Sequence, residues 1–388
     1  MDSPVQPLGS KPYFQALTGL RALAAYLVYF YHANPFPPTT RVWRLIHEGH
    51  IGVTIFFVLS GFLISIRYLD RVEISRHWIG RYFLNRVARI YPMYFLVTAL
   101  TFLVVAYRPA YEINHVWDTL YTAKDKVVVP LLNFSFLRGF FNDFKFSGVA
   151  QGWTLTTEFF FYAVAPVLLL GLVRVQYRYL QLVGYALGFI AIGLACVRFL
   201  PHSHGFFGSY RFMFDFTFFG RCVEFLAGMA LALFVRSKPQ LKTYSLATWL
   251  GLAWIIGCMW VLSRVDDPLD GGLGTVSRLG IALNNLVLPV GIVVLLYGLI
   301  QERTWLRWLL ETKAAKLLGE SSFAFYLVHQ GIVNIGLERH GVESVWLRFL
   351  LLNLLSILLF KLVEEPLNRL LTGRTVATQA KQAAVVAK

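Results

Sequence analysis

Charge is scarce in this chain. Of its 388 residues only 15% are Asp, Glu, Lys or Arg, against about 25% in a soluble domain, and that shortage excludes a solvated globular surface over most of its length. Cysteine is nearly absent. The three present, Cys196, Cys222 and Cys258, fall inside apolar stretches at no paired spacing, which argues against a disulfide framework or a cysteine-based zinc site. No glycine-rich loop of the dinucleotide or Walker type occurs, so nucleotide hydrolysis has no support. There is no defensible internal repeat and no polar stretch long enough for a second, soluble domain. His202-Ser203-His204 offers two imidazoles without a third ligand in reach by sequence, and no metal is expected.

What fills the chain instead is apolar. Hydrophobic residues make up 57% and aromatics 16%, and the mean hydropathy is +0.57. The apolar residues gather into stretches of roughly twenty, enough to cross a hydrocarbon core of about 30 Å, with Trp and Tyr near several ends. Ten such stretches are predicted, at about 14–33, 50–68, 88–107, 153–173, 179–199, 215–235, 244–263, 281–300, 317–337 and 345–363. The expected fold is therefore an all-α integral membrane protein, a bundle of about ten transmembrane helices. The formal net charge of +15 is spread through short connectors and forms no stripe, so nucleic acid is not the expected partner. The lipid bilayer is. With both termini cytoplasmic, the inside segments hold nearly twice as many Lys and Arg as the outside ones, as the positive-inside rule prefers. The connector from Arg67 to Arg89 weighs most in that balance. The first stretch contains Arg21 and no small-residue cleavage signal follows it, so it reads as a retained helix. The outside loop 108–152 carries a further apolar patch, Val127–Leu132, too short to span and expected to be re-entrant or interfacial. Residues 13–370 form the transmembrane domain, 1–12 a short cytoplasmic N terminus, and 371–388 a polar, mobile tail.

An ionisable side chain inside a bilayer is unfavourable, and each one is a functional candidate for that reason. Arg21 and His32 are eleven residues apart, and eleven steps of about 100° bring them within roughly 20° of one helix face, about 16 Å apart along the axis. A cytoplasmic N terminus places Arg21 near the inner boundary and His32 in the outer half. The structural alternative is an arginine that snorkels inward and a histidine that caps the helix. Glu158 lies just over one turn inside the fourth stretch, among Phe159, Phe160, Phe161 and Tyr162. A carboxylate there needs a partner or a proton, and His32 or Arg21 could serve; a purely structural ion pair is the alternative. Arg221 and Glu224, three residues apart, are expected to pair on one helix surface, a structural reading that outweighs a catalytic one. His329 is a lone histidine in the ninth stretch, and by spacing alone a packing residue.

Several segments, taken together, resemble the acyltransferase-3 family of polytopic membrane O-acyltransferases, nearly end to end over about 13–370. The first stretch, with Arg21 and His32, is similar to the family's opening pattern of a basic residue and a histidine. Gly52–Ile64, Arg86-Val87-Ala88-Arg89-Ile90-Tyr91-Pro92, Trp153–Glu158, Arg221–Gly228, Leu318–His329 (which includes Tyr326) and Glu365-Pro366 resemble further blocks in the family's order. Phe323 stands where the family commonly shows Tyr. The resemblance implies transfer of an acyl group, usually acetyl, from cytoplasmic acyl-CoA to a glycan or other hydroxyl acceptor, in a bacterial inner membrane. Many relatives carry a C-terminal SGNH esterase-like domain outside the membrane; this chain stops soon after its tenth stretch. It would then be a stand-alone form, acting by itself or handing the acyl group to a separate outside transferase partner.

On that reading His32 is the base for the acceptor hydroxyl, and Glu158 orients it as the acidic member of a hydrolytic triad does. Arg86 and Arg89 clamp the CoA phosphates, while Arg21 meets the pantetheine arm or the thioester oxygen. Trp153, Arg221, Glu224, Tyr326 and His329 line or brace the pocket. The residues leave open whether His32 acts as base or carries the acyl group itself. Two other readings stand beside the enzyme. One is a transporter whose buried Arg, His and Glu form a substrate or proton path, against which no inverted repeat is visible. The other is a membrane partner that recruits a separate transferase.

Overall fold

The computed structural model describes residues 14–112, 116, 118, 121–237, 246–265 and 277–373. Among them every regular element is helical, and extended backbone pairs only in an isolated antiparallel bridge between Phe141 and Phe206. The first half of the chain forms α1 (Gln15–His32), α2 (Arg41–His47), α3 (Ile51–Tyr68), α4 (Arg76–Tyr107), α5 (Asp125–Phe134), α6 (Trp153–Arg174) and α7 (Arg178–Phe199). There follow α8 (Tyr210–Phe216), α9 (Phe218–Ser237), α10 (Ala247–Val265), α11 (Arg278–Ala282), α12 (Leu288–Gln301) and α13 (Trp305–Leu310). The last are α14 (Lys313–Glu320), α15 (Ser322–Val328), α16 (Ile332–Arg339), α17 (Val345–Leu359) and α18 (Glu365–Thr372). Their starts are set by local chemistry. Thr40, Ser75, Ser209, Ser277, Thr304, Thr312 and Ser344 each precede a helix in extended backbone and accept a hydrogen bond from the N–H three residues on. Each satisfies a donor that the first turn leaves open.

Eight helical stretches among the described residues are long and apolar enough to cross a bilayer: Arg41–Arg71, Arg76–Tyr107, Ala150–Arg174, Arg178–Phe199, Tyr210–Ser237, Ala247–Val265, Arg278–Gln301 and Val345–Thr372. Each covers one of the stretches expected from sequence. Leucines such as Leu180, Leu187, Leu354 and Leu358 stand exposed along α7 and α17, an apolar surface too continuous for a water-soluble monomer. The chain is a multi-pass integral membrane protein.

The two other expected stretches fall outside that set, and only the second departs from expectation. Residues 14–33 do form a helix, α1, but Gln15, Arg21 and His32 dilute its hydropathy. It is an inner helix, packed against α3, α13, α14 and α15, with Ala24 and Ala25 wholly buried. Residues 317–337, predicted as one span, are instead divided among α14, α15 and α16. The chain breaks at Ser321 and again around Gly331, whose φ of 93° favours glycine because it carries no Cβ.

The long connector between α4 and α6 holds the apolar patch expected to be too short to span. The apolar patch Val127–Leu132 lies within α5, which packs along the C-terminal half of α4 through Phe134 against Phe95 and Phe102, at ring distances of 5.0 and 6.0 Å. From there the chain runs inward beside α4. The Tyr94 hydroxyl donates to the Asn133 carbonyl at 3.0 Å, and a Cβ on Gly152 would lie 3.1 Å from the Tyr94 ring. Hence α6 begins level with Tyr94, about 20 Å before α4 ends. This descent positions the site.

Close backbone approach holds α3 to α9. A Cβ on Gly61 would sit 1.9 Å from the Phe225 carbonyl oxygen, and one on Gly228 2.0 Å from that of Val58. Gly228→Ala is expected to lower the unfolding temperature in detergent, a loss of about 1–3 kcal/mol from overpacking. Gly257→Ala, with no atom within 4 Å of the new carbon, should hold the temperature or raise it in the same measurement, because alanine favours the helix.

Candidate functional site

A cleft of about 750 Å³, mouth included, opens between α1, α3, α4, α6 and α15. Its polar lining is Arg21 from α1, Ser60 from α3, Arg86 and Arg89 from α4, Thr154, Glu158 and Tyr162 from α6, and Tyr326 from α15. Phe56, Phe57, Leu63 and Leu155 supply apolar wall. Glu158 reaches across the cleft: its Oε1 accepts from the Ser60 hydroxyl and from the Tyr162 hydroxyl, each at 2.5 Å. Arg86 is buried, its guanidinium 5.7 and 5.8 Å from the ring centres of Tyr68 and Tyr162, and its Nε makes no hydrogen bond. Glu364, in the π-helical turn Phe360–Glu364, lies within electrostatic reach of Arg89 and Arg21. Three guanidiniums thus line the cleft against one carboxylate, Glu158, with Glu364 outside the lining.

Tyr326 joins this cleft to a histidine pair. Its hydroxyl lies 3.0 Å from Thr154 Oγ1, and its ring centre is 5.5 Å from that of His329. His329 is buried, and its ring centre is in turn 5.5 Å from that of His32. His329 Nδ1 stands 2.8 Å from the Tyr326 carbonyl oxygen. A carbonyl only accepts, so Nδ1 carries the proton and Nε2, which has no hydrogen-bond partner, carries the lone pair. His32 closes α1 in an exposed position. The polar path runs from Arg86 and Arg89, past Arg21 and Glu158, to Tyr326 and the two histidines.

The structure thus brings Arg21, Glu158, Arg86, Arg89 and Tyr326 into one cleft, with His329 and His32 beyond it. It does not pair Glu158 with His32, one of the two contacts weighed from sequence. The descent of residues 135–152 seats Glu158 level with Arg86, farther in than one turn from an outer boundary, and His32 meets His329 instead. Arg221 and Glu224 pair as their spacing predicts, Nε to Oε1 at 2.7 Å. Arg221 also donates to Thr54 Oγ1 and to the Asp215 carbonyl, both at 3.1 Å, so it braces the break between α8 and α9 outside the cleft lining. Trp153 packs on Phe216, ring centres 4.8 Å apart, and likewise lies outside that lining. His204 faces Asp125 at 3.7 Å, and hydrogen bonds from Thr122 hold that carboxyl below the usual range. Among the described residues no group of three potential metal ligands occurs.

Three residues escaped the sequence. Ser60 sits in a segment similar to a family block, and Glu364 immediately precedes the Glu365-Pro366 pair, neither standing out by charge pattern. Arg138, in the connector between α5 and α6, is fully buried; its Nη2 donates to the Val149 carbonyl, while Nε and Nη1 have no hydrogen-bond partner. Nothing local marks it, because a loop arginine in a sequence reads as solvated.

Comparison with known proteins places this geometry in context. A family model described as an acyltransferase domain matches residues 14–362. The acyltransferase MdmB of Streptomyces mycarofaciens is 27% identical, over 94% of this chain and 94% of its own length. An acetyltransferase-named protein of Acidianus two-tailed virus is also 27% identical, over 82% of this chain and 83% of its own. A Staphylococcus aureus protein named for O-acetyltransferase activity is 22% identical over 92% of this chain, which spans only 58% of that longer protein. No solved structure matches.

Proposed function

This chain belongs to the acyltransferase family and is an enzyme of acyl transfer; from that premise we propose that it moves an acetyl group from acyl-CoA to a hydroxyl of a glycan or other acceptor across a bacterial inner membrane. The single observation that carries the reading is the cleft that gathers Arg21, Arg86, Arg89 and Glu158 and leads through Tyr326 to His329 and His32. In the proposed topology the chain crosses the membrane ten times, with both termini in the cytoplasm and the Arg86 end of the cleft inward.

The chemistry follows the charges. Arg86 and Arg89 hold the donor phosphates, as guanidiniums do with two parallel N–H groups. Arg21 lies deeper and meets the pantetheine arm, which carries the thioester onward toward the histidine pair. The acceptor approaches from the opposite end. Its hydroxyl gives a proton to His32, its oxygen bonds to the acyl carbon, the carbon–sulfur bond breaks, and CoA leaves as the thiol with that proton. Glu158 anchors Tyr162 and Ser60 and balances Arg21, so its part is to position the cationic wall. A separate outside transferase partner is not required by this route.

The test is release of CoA thiol by the purified protein in lipid, with acetyl-CoA and a crude glycan extract. Acceptor-dependent release is expected. Binding of acetyl-CoA, or movement of a solute, without release would overturn the reading in favour of a transporter. Within the same assay Arg86→Gln and Arg89→Gln should each raise the KM for acetyl-CoA. A hydrogen bond to a charged group is worth about 1.5–3 kcal/mol, roughly 10-fold to 150-fold in KM. Unchanged KM in both variants would remove the phosphates from this end of the cleft.

A further inference from the structure

A second polar groove lies on α4, away from the cleft. Arg76, His77, Gly80, Arg81, Leu84 and Asn85 line it along one strip of the helix, and Thr372 of α18 closes it, with an envelope of about 1060 Å³, open solvent included. At about 100° per residue the strip lies roughly 180° around the helix from Arg86, Arg89 and Ile90, which line the cleft. A donor molecule seated in the cleft therefore does not reach it along the helix surface.

Three features of the groove point to a ligand. Its cations have no ion pair: among the described residues neither Arg76 nor Arg81 is bridged, Asp70 is engaged by Arg236 and Glu365 by Arg369, and the exposed Glu73 precedes Arg76 without a bridge to it. Its floor is open, because a Cβ on Gly80 would meet nothing within 4 Å, and a missing side chain there lets a ligand approach the helix backbone. Its edge is amphiphilic, since Leu84 is 45% exposed beside the arginines. The position on the helix supplies the rest. The 32 residues of α4 extend about 48 Å, well beyond a hydrocarbon core of about 30 Å. The end that projects is the basic end, not the apolar run from Tyr94 to Tyr107. The groove thus stands at headgroup depth on the lipid-facing side of α4.

We propose that this groove is a binding site for the phosphate of an anionic glycerophospholipid, with Arg76 and Arg81 on the phosphate, Gly80 beneath it and Leu84 against the start of an acyl chain. A juxtamembrane Arg near an anionic surface contributes about 1 kcal/mol, so two cations around one phosphate select an anionic headgroup over a zwitterionic one. The proposal does not depend on the acyl-transfer reading.

Native mass spectrometry of the full chain in mild detergent tests it, with phosphatidylglycerol or phosphatidylcholine added in equal amount. The wild type should retain phosphatidylglycerol adducts several-fold more than phosphatidylcholine adducts. Arg76→Gln/Arg81→Gln should abolish the preference. Gly80→Leu should abolish it too, by filling the floor with no change of charge, and it strengthens the helix, so misfolding does not confound it. Retention that is equal for the two lipids, or unaltered in Gly80→Leu, overturns the proposal. Displacement of phosphatidylglycerol by adenosine 3′,5′-bisphosphate also overturns the lipid assignment and gives the phosphate site to a nucleotide instead.

Discussion

Replacing His32 by alanine is expected to lower acceptor-dependent CoA release by about 10²–10⁴-fold, the usual contribution of a positioned general base. His32 stands at the exposed end of α1, so its loss removes little packing, and surface changes of that kind usually stay within about 0.5 kcal/mol of the wild type. The unfolding temperature should therefore hold while the rate falls. The neighbour matters to the interpretation. His329 presents an unpartnered Nε2 with its ring centre 5.5 Å from that of His32, so His329→Ala, measured alongside, tells the two apart. A rate that survives His32→Ala but not His329→Ala would transfer the role of base to His329. Survival in both would remove the histidine pair from the chemistry altogether.

The second large effect is on stability. Arg221 and Glu224 are both buried, and the pair is closed at 2.7 Å. Glu224→Leu would leave the guanidinium buried with only Thr54 and one carbonyl to satisfy it, at an expected loss of about 3–5 kcal/mol. Thermal unfolding in detergent, or the fraction recovered as monodisperse protein, measures it. The double variant Arg221→Met/Glu224→Leu should recover most of that loss, because removing both charges also removes the desolvation that each imposes. If the single variant is as stable as the wild type, the pair is not the brace of the α8–α9 break described above. If the double variant is no better than the single, the contacts of Arg221 with Thr54 and Asp215 matter more than its charge balance.

What could be read from the chain in one dimension was read largely through length and hydropathy. Stretches of apolar residues long enough for a bilayer are a local property, so eight of them coincide with helices of the structure. The Arg221–Glu224 contact was equally legible, because a separation of three on a helix brings two side chains together whatever surrounds them. The segment 317–337 was not. Its composition is mostly apolar, and its three glycines, Gly319, Gly331 and Gly336, are each compatible with a continuous membrane helix. Only the packing of α15 against α1 and α4, and of α16 against α17, makes the break favourable.

The site divides in the same way. That Arg21, His32, Glu158, Arg86 and Arg89 are out of place in a membrane protein follows from the sequence itself, since each is an ionisable group in or beside an apolar span and carries a desolvation penalty. Which of them meet was decided by the tertiary structure. Depth in the bundle depends on where each segment enters, and residues 135–152 run inward beside α4 before α6 begins. That register seats Glu158 beside the arginines, leaves His32 to His329, and buries Arg138 in a loop that composition alone would leave in water. Hydropathy measures whether a segment is buried in lipid; it carries no information on the height at which neighbouring segments are packed, and the side-chain partnerships of this cleft are set by that height.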